Sequence, residues 1–190
     1  MKGRESIVRD LTQVIAIFLV LCVHLFGETG SLSRSSPSPQ MERLIEVFVG
    51  TWDTSETMAR SEFFPHGGAR HGVANFRPTA DGAALVEEGH SDGSAGRLSF
   101  YIVIWWDEDA TLYRFLTCFH AHRLGCELRG TAHWDGDIFV NDYEEVIKSK
   151  KTKFTDSFSH LSSASFTLIE AISGENGSTT ALITTQYTRQ

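Results

Sequence analysis

The chain has 190 residues, a formal net charge of −7 and a hydrophobic content of 41%. That hydrophobic content is enough for a folded core and argues against a disordered chain. An acidic chain with only one short basic cluster, residues 148–153, also argues against nucleic acid as a partner, because phosphate binding needs clustered Lys and Arg. Composition therefore predicts a globular domain that does not bind nucleic acid.

The first element, residues 1–30, is predicted to be a signal peptide or an N-terminal anchor. Residues 14–26 (VIAIFLVLCVHLF) form an apolar run behind a basic start. The run suits a secretory signal and is short for a spanning helix, which needs about 20 residues. Leu21 is too bulky for the residue before a lipidated Cys22. The chain is therefore predicted to be exported, periplasmic or secreted. An uncleaved anchor at 14–26, which would be its membrane contact, is the alternative.

A flexible linker and one short helix follow. Residues 31–38 are rich in Ser and Pro, which is typical of a linker, and a single domain is predicted over 39–190. Ser38 followed by Pro39 indicates a helix start, since Ser is a good N-cap and Pro fits the first helical position. Gly50 indicates the helix end.

After Trp52 the sequence is typical of strands and turns. Segments rich in Val, Ile, Thr and aromatic residues recur every ten to fifteen residues, with turn residues between them. No second helix is visible, so the fold class is all-β. An antiparallel up-and-down β-barrel of about ten strands is predicted, because closure hides the strand edges. A sandwich is the alternative. The predicted strands are 55–63, 70–77, 83–91, 97–106, 111–119, 126–134, 137–147, 152–159, 164–172 and 179–189.

The turn positions assign the strand faces and predict a ligand site inside the barrel. In this register Arg114 lies across from Gly130, which leaves room for a guanidinium that binds a ligand carboxylate, while Trp105 packs on the apolar part. The alternative is a structural Arg114–Glu87 pair in a filled barrel. A one-residue register error would exchange the two faces. The predicted ligand-binding residues are Glu87, Tyr101, Trp105, Arg114, Asn141 and Tyr143.

The cysteines and histidines leave alternatives open. A hairpin that turns at His122 places Cys118 opposite Cys126, either as a disulfide or as two buried thiols. The pairs His66 with His71 and His120 with His122 are candidates for a haem or metal site, although exposed loop histidines are the simpler reading.

Catalytic signatures such as G-x-S-x-G, a P-loop, H-E-x-x-H and C-x-x-C do not occur in the sequence. Their absence disfavours an enzyme. No catalytic residue is predicted, and the sequence leaves the cofactor unknown.

Two resemblances add to this picture. A short helix followed by Gly50-Thr51-Trp52 resembles the Gly-x-Trp signature of lipocalins. The resemblance implies that Trp52 packs at the closed end of the barrel and that Arg189 stacks on it. Residues 41–189, with FVGTWD, WWDEDATLYRF, RGTAHWDGD and SFTLIEA, resemble the bacterial family called domain of unknown function 1579. That resemblance implies a lipocalin-like barrel, often in exported proteins, and brings no activity.

Three functions are therefore open at this point. The first is an exported barrel that binds a small apolar or amphipathic ligand in its lumen. The second is a haem- or metal-binding barrel, or an enzyme, on the same scaffold. The third is a filled structural barrel without a small ligand. A cavity of a few hundred Å³ would favour the first over the third.

Overall fold

The computed structural model describes residues 36–120, 125–126, 128–174 and 178–190. The predicted signal or anchor segment 1–30, most of the linker 31–38, and His122 lie outside the described residues.

Helix α1, Pro39–Phe48, lies where the sequence predicts it. The Ser38 hydroxyl accepts a hydrogen bond from the Met41 amide at 3.3 Å, and Pro39 lies at the helix start. Its apolar face, Met41, Leu44 and Phe48, is buried. Because this face points at the barrel, the helix closes one of its ends.

In the described part of the chain, ten antiparallel strands close into one barrel. Each strand pairs with the next, and β1 pairs with β10 in the register Trp52–Arg189. The predicted all-β, up-and-down, lipocalin-like barrel is confirmed, and the sandwich alternative is wrong. The strands are β1 Gly50–Met58, β2 Gly68–Thr79, β3 Ala84–Gly93, β4 Leu98–Asp107, β5 Leu112–Phe119, β6 Leu128–Asp135, β7 Ile138–Ile147, β8 Lys150–Ser159, β9 Ser165–Ser173 and β10 Thr179–Arg189.

The first strand differs most from its predicted position. It begins at Gly50 rather than at residue 55, so Trp52 lies inside the strand. Residues 59–67 form a loop instead of continuing the strand. Phe64 accepts backbone hydrogen bonds from Ser61 and Gly67 in this loop, and Gly67 has a positive φ of 64°, a conformation that favours glycine.

The barrel has two different ends. At the closed end, α1 covers the lumen, and Tyr113 of β5 donates a hydrogen bond to the Gln40 carbonyl at 2.8 Å. At the other end, called the mouth, the loop 59–67 and the turns before β4 and β8 lie beside an opening. The alternation of the strands then decides which side chains enter the lumen.

Two register errors in the sequence prediction explain which faces were assigned wrongly. Glu87 pairs with Ile102 rather than with Tyr101, and Phe115, not Arg114, pairs with Gly130. Each pairing is shifted by one residue from the predicted one. The first shift turns the predicted lumen-facing residues of β4 and β5 to the outside, and the second brings the prediction back into agreement with the structure from β6 onward. The predicted inward orientation of Tyr101, Trp105 and Arg114 is therefore wrong, whereas Glu87, Asn141 and Tyr143 do face the lumen.

Candidate functional site

Trp52 forms the floor of the lumen. Its side chain is fully buried, and its Nε1 donates a hydrogen bond to the Phe48 carbonyl at 2.9 Å. The guanidinium carbon of Arg189 lies 4.1 Å from the Trp52 ring centroid, and its Nη1 donates to the Val49 carbonyl at 2.8 Å. These contacts tie the helix, the first strand and the last strand together at the closed end.

Aromatic rings fill the lower part of the lumen. The Phe48 ring lies with its centroid 5.3 Å to 5.8 Å from those of Phe76, Phe139, Phe158 and Phe166. These spacings are typical of favourable aromatic pairs. This half of the barrel is a packed core and leaves a ligand only the half towards the mouth.

Two adjoining cavities occupy the half towards the mouth. The inner cavity has a volume of about 90 Å³, and the outer cavity, at the mouth, about 390 Å³. They share Arg70, Tyr143 and Glu170 among their lining residues. The polar side chains of the inner cavity include Glu56, Arg70, Glu87, Asn141, Asp156 and Glu170. The apolar side chains of the outer cavity include Phe63, Phe64, Phe119, Ile147, Phe154 and Leu182.

A buried ion pair crosses from β1 to β2 in the inner cavity. Arg70 Nε and Nη2 both donate to Glu56 Oε2, at 2.9 Å and 2.5 Å. The two residues are directly opposite in the strand register, and their side chains are only 9% and 8% exposed. Since both guanidinium contacts go to one carboxylate, Arg70 is committed to Glu56.

Three further carboxyl groups face the same space. Burial raises the pKa of Glu87 to about 8. The Tyr187 hydroxyl donates a hydrogen bond to this carboxyl at 3.2 Å, which lowers the pKa but does not offset the effect of burial. Burial and then the charge of Glu145 raise the pKa of Glu170 to about 7. Burial and the neighbouring Glu170 likewise raise the pKa of Asp156 well above its ordinary value. Burial therefore favours the neutral form of these acids.

Asn141 carries an unused hydrogen-bond acceptor. Its side chain is 3% exposed and lines the inner cavity. Its amide hydrogen-bonds to Asp156, which lowers the pKa of that carboxyl, while Asn141 Oδ1 has no hydrogen-bond partner among the described residues. Buried polar atoms are nearly always paired, so this oxygen marks a place for a donor.

The predicted ligand-binding residues are thus divided between the two faces. Glu87, Asn141 and Tyr143 line the inner cavity. Arg114 lies outside and forms an exterior ion pair with Asp107, which lowers the pKa of that carboxyl. The structural alternative, an Arg114–Glu87 pair, does not form.

Tyr101 and Trp105 lie on the outer face of β4. Their alternating neighbours Phe100 and Ile102 line the cavity instead. The role of the predicted residues in ligand binding stays a prediction.

Sequence reasoning missed Glu56, Arg70, Asp156 and Glu170. For Glu56 a signal was present: a strand alternates with period two, so an inward Trp52 also places residues 54 and 56 inside. The side chain of Arg70 then follows from its position opposite Glu56. For Asp156 and Glu170 no such anchor exists in the sequence.

Cys118 and Cys126 form a disulfide at the mouth end of β5. Among the histidines considered for haem or metal, His66, His71 and His120 are exposed, and none lines the inner cavity. Within the described ranges, no group of three or more His, Cys, Asp or Glu side chains could hold a metal ion. No helix in the same ranges is long and apolar enough to cross a membrane.

Solved structures that are similar to this chain share little sequence with it. One is the S-type phycobiliprotein lyase CPES from Guillardia theta, with a TM-score of 0.53 and 11% identity over 78% of this chain and 92% of the lyase. Two others are Rv2717c from M. tuberculosis (TM-score 0.47, 9% identity, 82% of this chain and 99% of that one) and the redesigned β-barrel mFAP0 bound to DFHBI (TM-score 0.42, 14% identity, 75% and 99%). At these identities the similarity to the lyase shows the fold alone.

No protein-family model matches the chain, and no curated protein matches it. The resemblance to the bacterial family of unknown function therefore stays a prediction.

Proposed function

We propose that this protein is an exported carrier that binds one small amphipathic molecule in its lumen, with the polar group inward and the apolar part towards the mouth. The observation that carries the proposal is the pair of adjoining cavities, 90 Å³ and 390 Å³, above the packed floor. Small-molecule pockets usually measure about 300–1,000 Å³, so together these cavities suit a small ligand.

The distribution of polarity supports the orientation. The inner cavity carries the ion pair, the three further carboxyl groups and Asn141. The outer cavity shares Arg70 and Glu170 with it and adds Arg97 and Glu145, but most of its lining is phenylalanine and aliphatic side chains. Phe63 of the loop 59–67 packs on Phe154 with a centroid distance of 6.0 Å, so an apolar wall stands at the entrance. A ligand with a polar head and an apolar tail satisfies both regions at once.

Export is supported by two independent features. The apolar run 14–26 behind a basic start is typical of a secretory signal. The Cys118–Cys126 disulfide fits an oxidising compartment, since disulfides are rare in reducing ones. The export proposal is tested by fractionating cells that express the full chain and by determining the N-terminus of the recovered protein.

Binding is tested with the uncharged fluorophore Nile red. We expect a saturable rise in emission with a stoichiometry of one, because the dye moves from water into an apolar cavity. Ile183 lines both cavities, and an Ile183→Trp substitution should block them and abolish the rise. Gln186 lies on the same strand, β10, and is exposed, so Gln186→Trp is the matched control.

Native mass spectrometry of protein recovered from its own compartment would then look for a co-purified small molecule. Absence of Nile red binding by the unmodified protein would overturn the proposal. Equal binding by the Ile183→Trp protein would place the dye outside the lumen and would overturn it as well.

A further inference from the structure

We propose that the ligand of this lumen is an organic cation, a protonated amine with an apolar tail, whose ammonium group lies among Asn141, Asp156 and Glu170. This inference rests on the proposed function, because it specifies the chemistry of the molecule that the lumen holds.

The first observation is an excess of carboxyl groups over cations. Four carboxyl groups line the inner cavity, whereas Arg70 is the one guanidinium among the described lining residues. Arg70 already donates twice to Glu56. The charge of Arg70 also lowers the pKa of Glu170, but among the described lining residues four carboxyl groups share this one guanidinium. A buried carboxyl group in such excess takes up either a proton or a further positive partner.

The second observation is independent of charge. The Asn141 side chain lines the inner cavity, and its Oδ1 atom is buried and has no hydrogen-bond partner among the described residues. Because the Asn141 amide nitrogen is used by Asp156, the free atom is an acceptor. An ammonium group has three donors and no acceptor, so it can donate hydrogen bonds to this oxygen and to two carboxylates at the same time.

The walls of the cavity favour an organic cation over a metal ion. Phe100, Phe115, Phe119 and Phe158 line it together with Tyr143. Aromatic faces attract alkylammonium groups but supply no ligand to a hard metal ion, which prefers several oxygens. In the ranges that the structure describes, the carboxyl groups do not gather into a metal-binding set.

Proton exchange links ligand charge to the acids. The titratable and charged groups that face the cavity come from seven strands: Glu56, Arg70, Glu87, Tyr143, Asp156, Glu170 and Tyr187. Burial, together with the charge of Glu145, keeps the pKa of Glu170 at about 7, and burial keeps that of Glu87 at about 8. A bound cation favours the ionised form, so its binding should release protons near neutral pH.

The decisive experiment compares three probes of equal chain length: octylammonium, 1-octanol and octanoate. Isothermal titration calorimetry at pH 7.5 should give octylammonium an affinity at least tenfold higher than 1-octanol, with octanoate the weakest. Titrations in two buffers of different ionisation enthalpy should show net proton release for octylammonium and none for 1-octanol. Octanol binding as tightly as octylammonium, or octanoate binding more tightly, would overturn the inference.

Two variants localise the effect. Glu170→Gln and Asn141→Leu should each reduce the preference for octylammonium over 1-octanol to below threefold while 1-octanol binding persists. Glu88 neighbours Glu87 on β3 but is exposed, so Glu88→Gln should keep the full preference. An unchanged preference in both lumen variants, with folding verified by circular dichroism, would also overturn the inference.

The two proposals fail in different ways. If neither Nile red nor any octyl probe binds, the binding function itself is wrong. If Nile red and 1-octanol bind and octylammonium has no advantage, the carrier function stands and only the cationic ligand is wrong.

Discussion

The two halves of this barrel are built on different chemistry. At the closed end, Trp52 and the ring cluster around Phe48 are buried and apolar, and their polar atoms are paired. Towards the mouth, the lumen holds an ion pair, three raised-pKa carboxyl groups and an unpaired Asn141 oxygen.

The difference indicates that the closed half supplies stability and that the mouth half has polar groups whose cost in stability needs another explanation. Dense aromatic packing at one end supplies the free energy of folding, because it buries a large apolar area at native density. Unsatisfied buried polar groups lower stability, and proteins retain them mainly where a ligand or a reaction uses them. The mouth half therefore has the features of a binding site, and the closed half those of a core.

The largest effect is expected from breaking the closed end. Trp52→Ala should lower the free energy of unfolding by about 5 kcal/mol, since a fully buried Trp leaves a large cavity. Urea titration followed by circular dichroism measures this. Trp105 lies on the outer face of β4, so Trp105→Ala should cost only about 1 kcal/mol. Equal losses for the two variants would contradict the assignment of Trp52 as the plug.

The next effect concerns the ion pair of the mouth half. Arg70→Met should cost about 4 kcal/mol, because it leaves Glu56 buried without its partner. Arg97 forms an ion pair with Asp92 in which both side chains are largely exposed. Arg97→Met should therefore cost less than about 1 kcal/mol in the same urea titration. A cost for Arg70→Met as small as that for Arg97→Met would mean that water reaches the inner pair.

A pH dependence sharpens the comparison further. The pKa of Glu87 is raised from 4.5 to about 8, so the folded chain keeps a proton that the unfolded chain releases across this window. The stability of the ligand-free protein should fall as pH rises from 4.5 to 8 and then level off. Glu87→Gln keeps an acceptor for Tyr187 and removes the part of this slope that Glu87 contributes. Asp156 and Glu170, whose pKa values are also raised, keep their own part.

At pH 8 the Glu87→Gln protein should be more stable than the unmodified protein by about 3 kcal/mol. This difference in unfolding free energy is smaller than the maximum that the whole pKa shift of Glu87 would allow, at about 1.36 kcal/mol per pKa unit. Glu88→Gln is the control, and its urea midpoints should follow those of the unmodified protein at each pH. Parallel profiles for all three proteins would show that Glu87 does not titrate as its burial implies.

The smallest effect is expected from the disulfide at the mouth. The cysteines are 8 residues apart, and closing so short a loop stabilises by roughly 2.5 kcal/mol in the chain-entropy estimate. Replacing both Cys118 and Cys126 by Ser should lower stability by that amount. A reducing agent should lower the stability of the unmodified protein to the same level and leave the double variant unchanged. A reducing agent without effect on the unmodified protein would contradict a disulfide in solution.

The order of the elements could be predicted from local features. Ser38-Pro39 specifies the start of α1, and the turn residues between β-rich segments separate the strands, because both signals act within a few residues. The closed architecture followed from the need to cover strand edges. The interior residues of β4 could not be assigned, since LSFYIVIWWD is apolar on both faces and period-two alternation is lost.

The candidate site depended on register and was only partly predictable. Glu87, Asn141 and Tyr143 were placed inside correctly because two opposite errors cancelled between β3 and β6. Arg114 was placed inside wrongly, and with it the expectation of a carboxylate ligand. Among the described residues of the inner cavity the guanidinium is that of Arg70, and it is hydrogen-bonded to Glu56. The ligand charge proposed above is therefore the opposite of the one that Arg114 led us to expect.

The sequence by itself determined the helix, the strand series and the barrel, because hydrophobic period, capping and turn chemistry are encoded over short distances. Only the tertiary structure decided which charges share the lumen. Glu56, Glu87, Asp156 and Glu170 come from four strands, and their meeting depends on pairings in which one residue of register exchanges inside for outside. Those pairings are set by long-range closure of the sheet, which no local pattern contains.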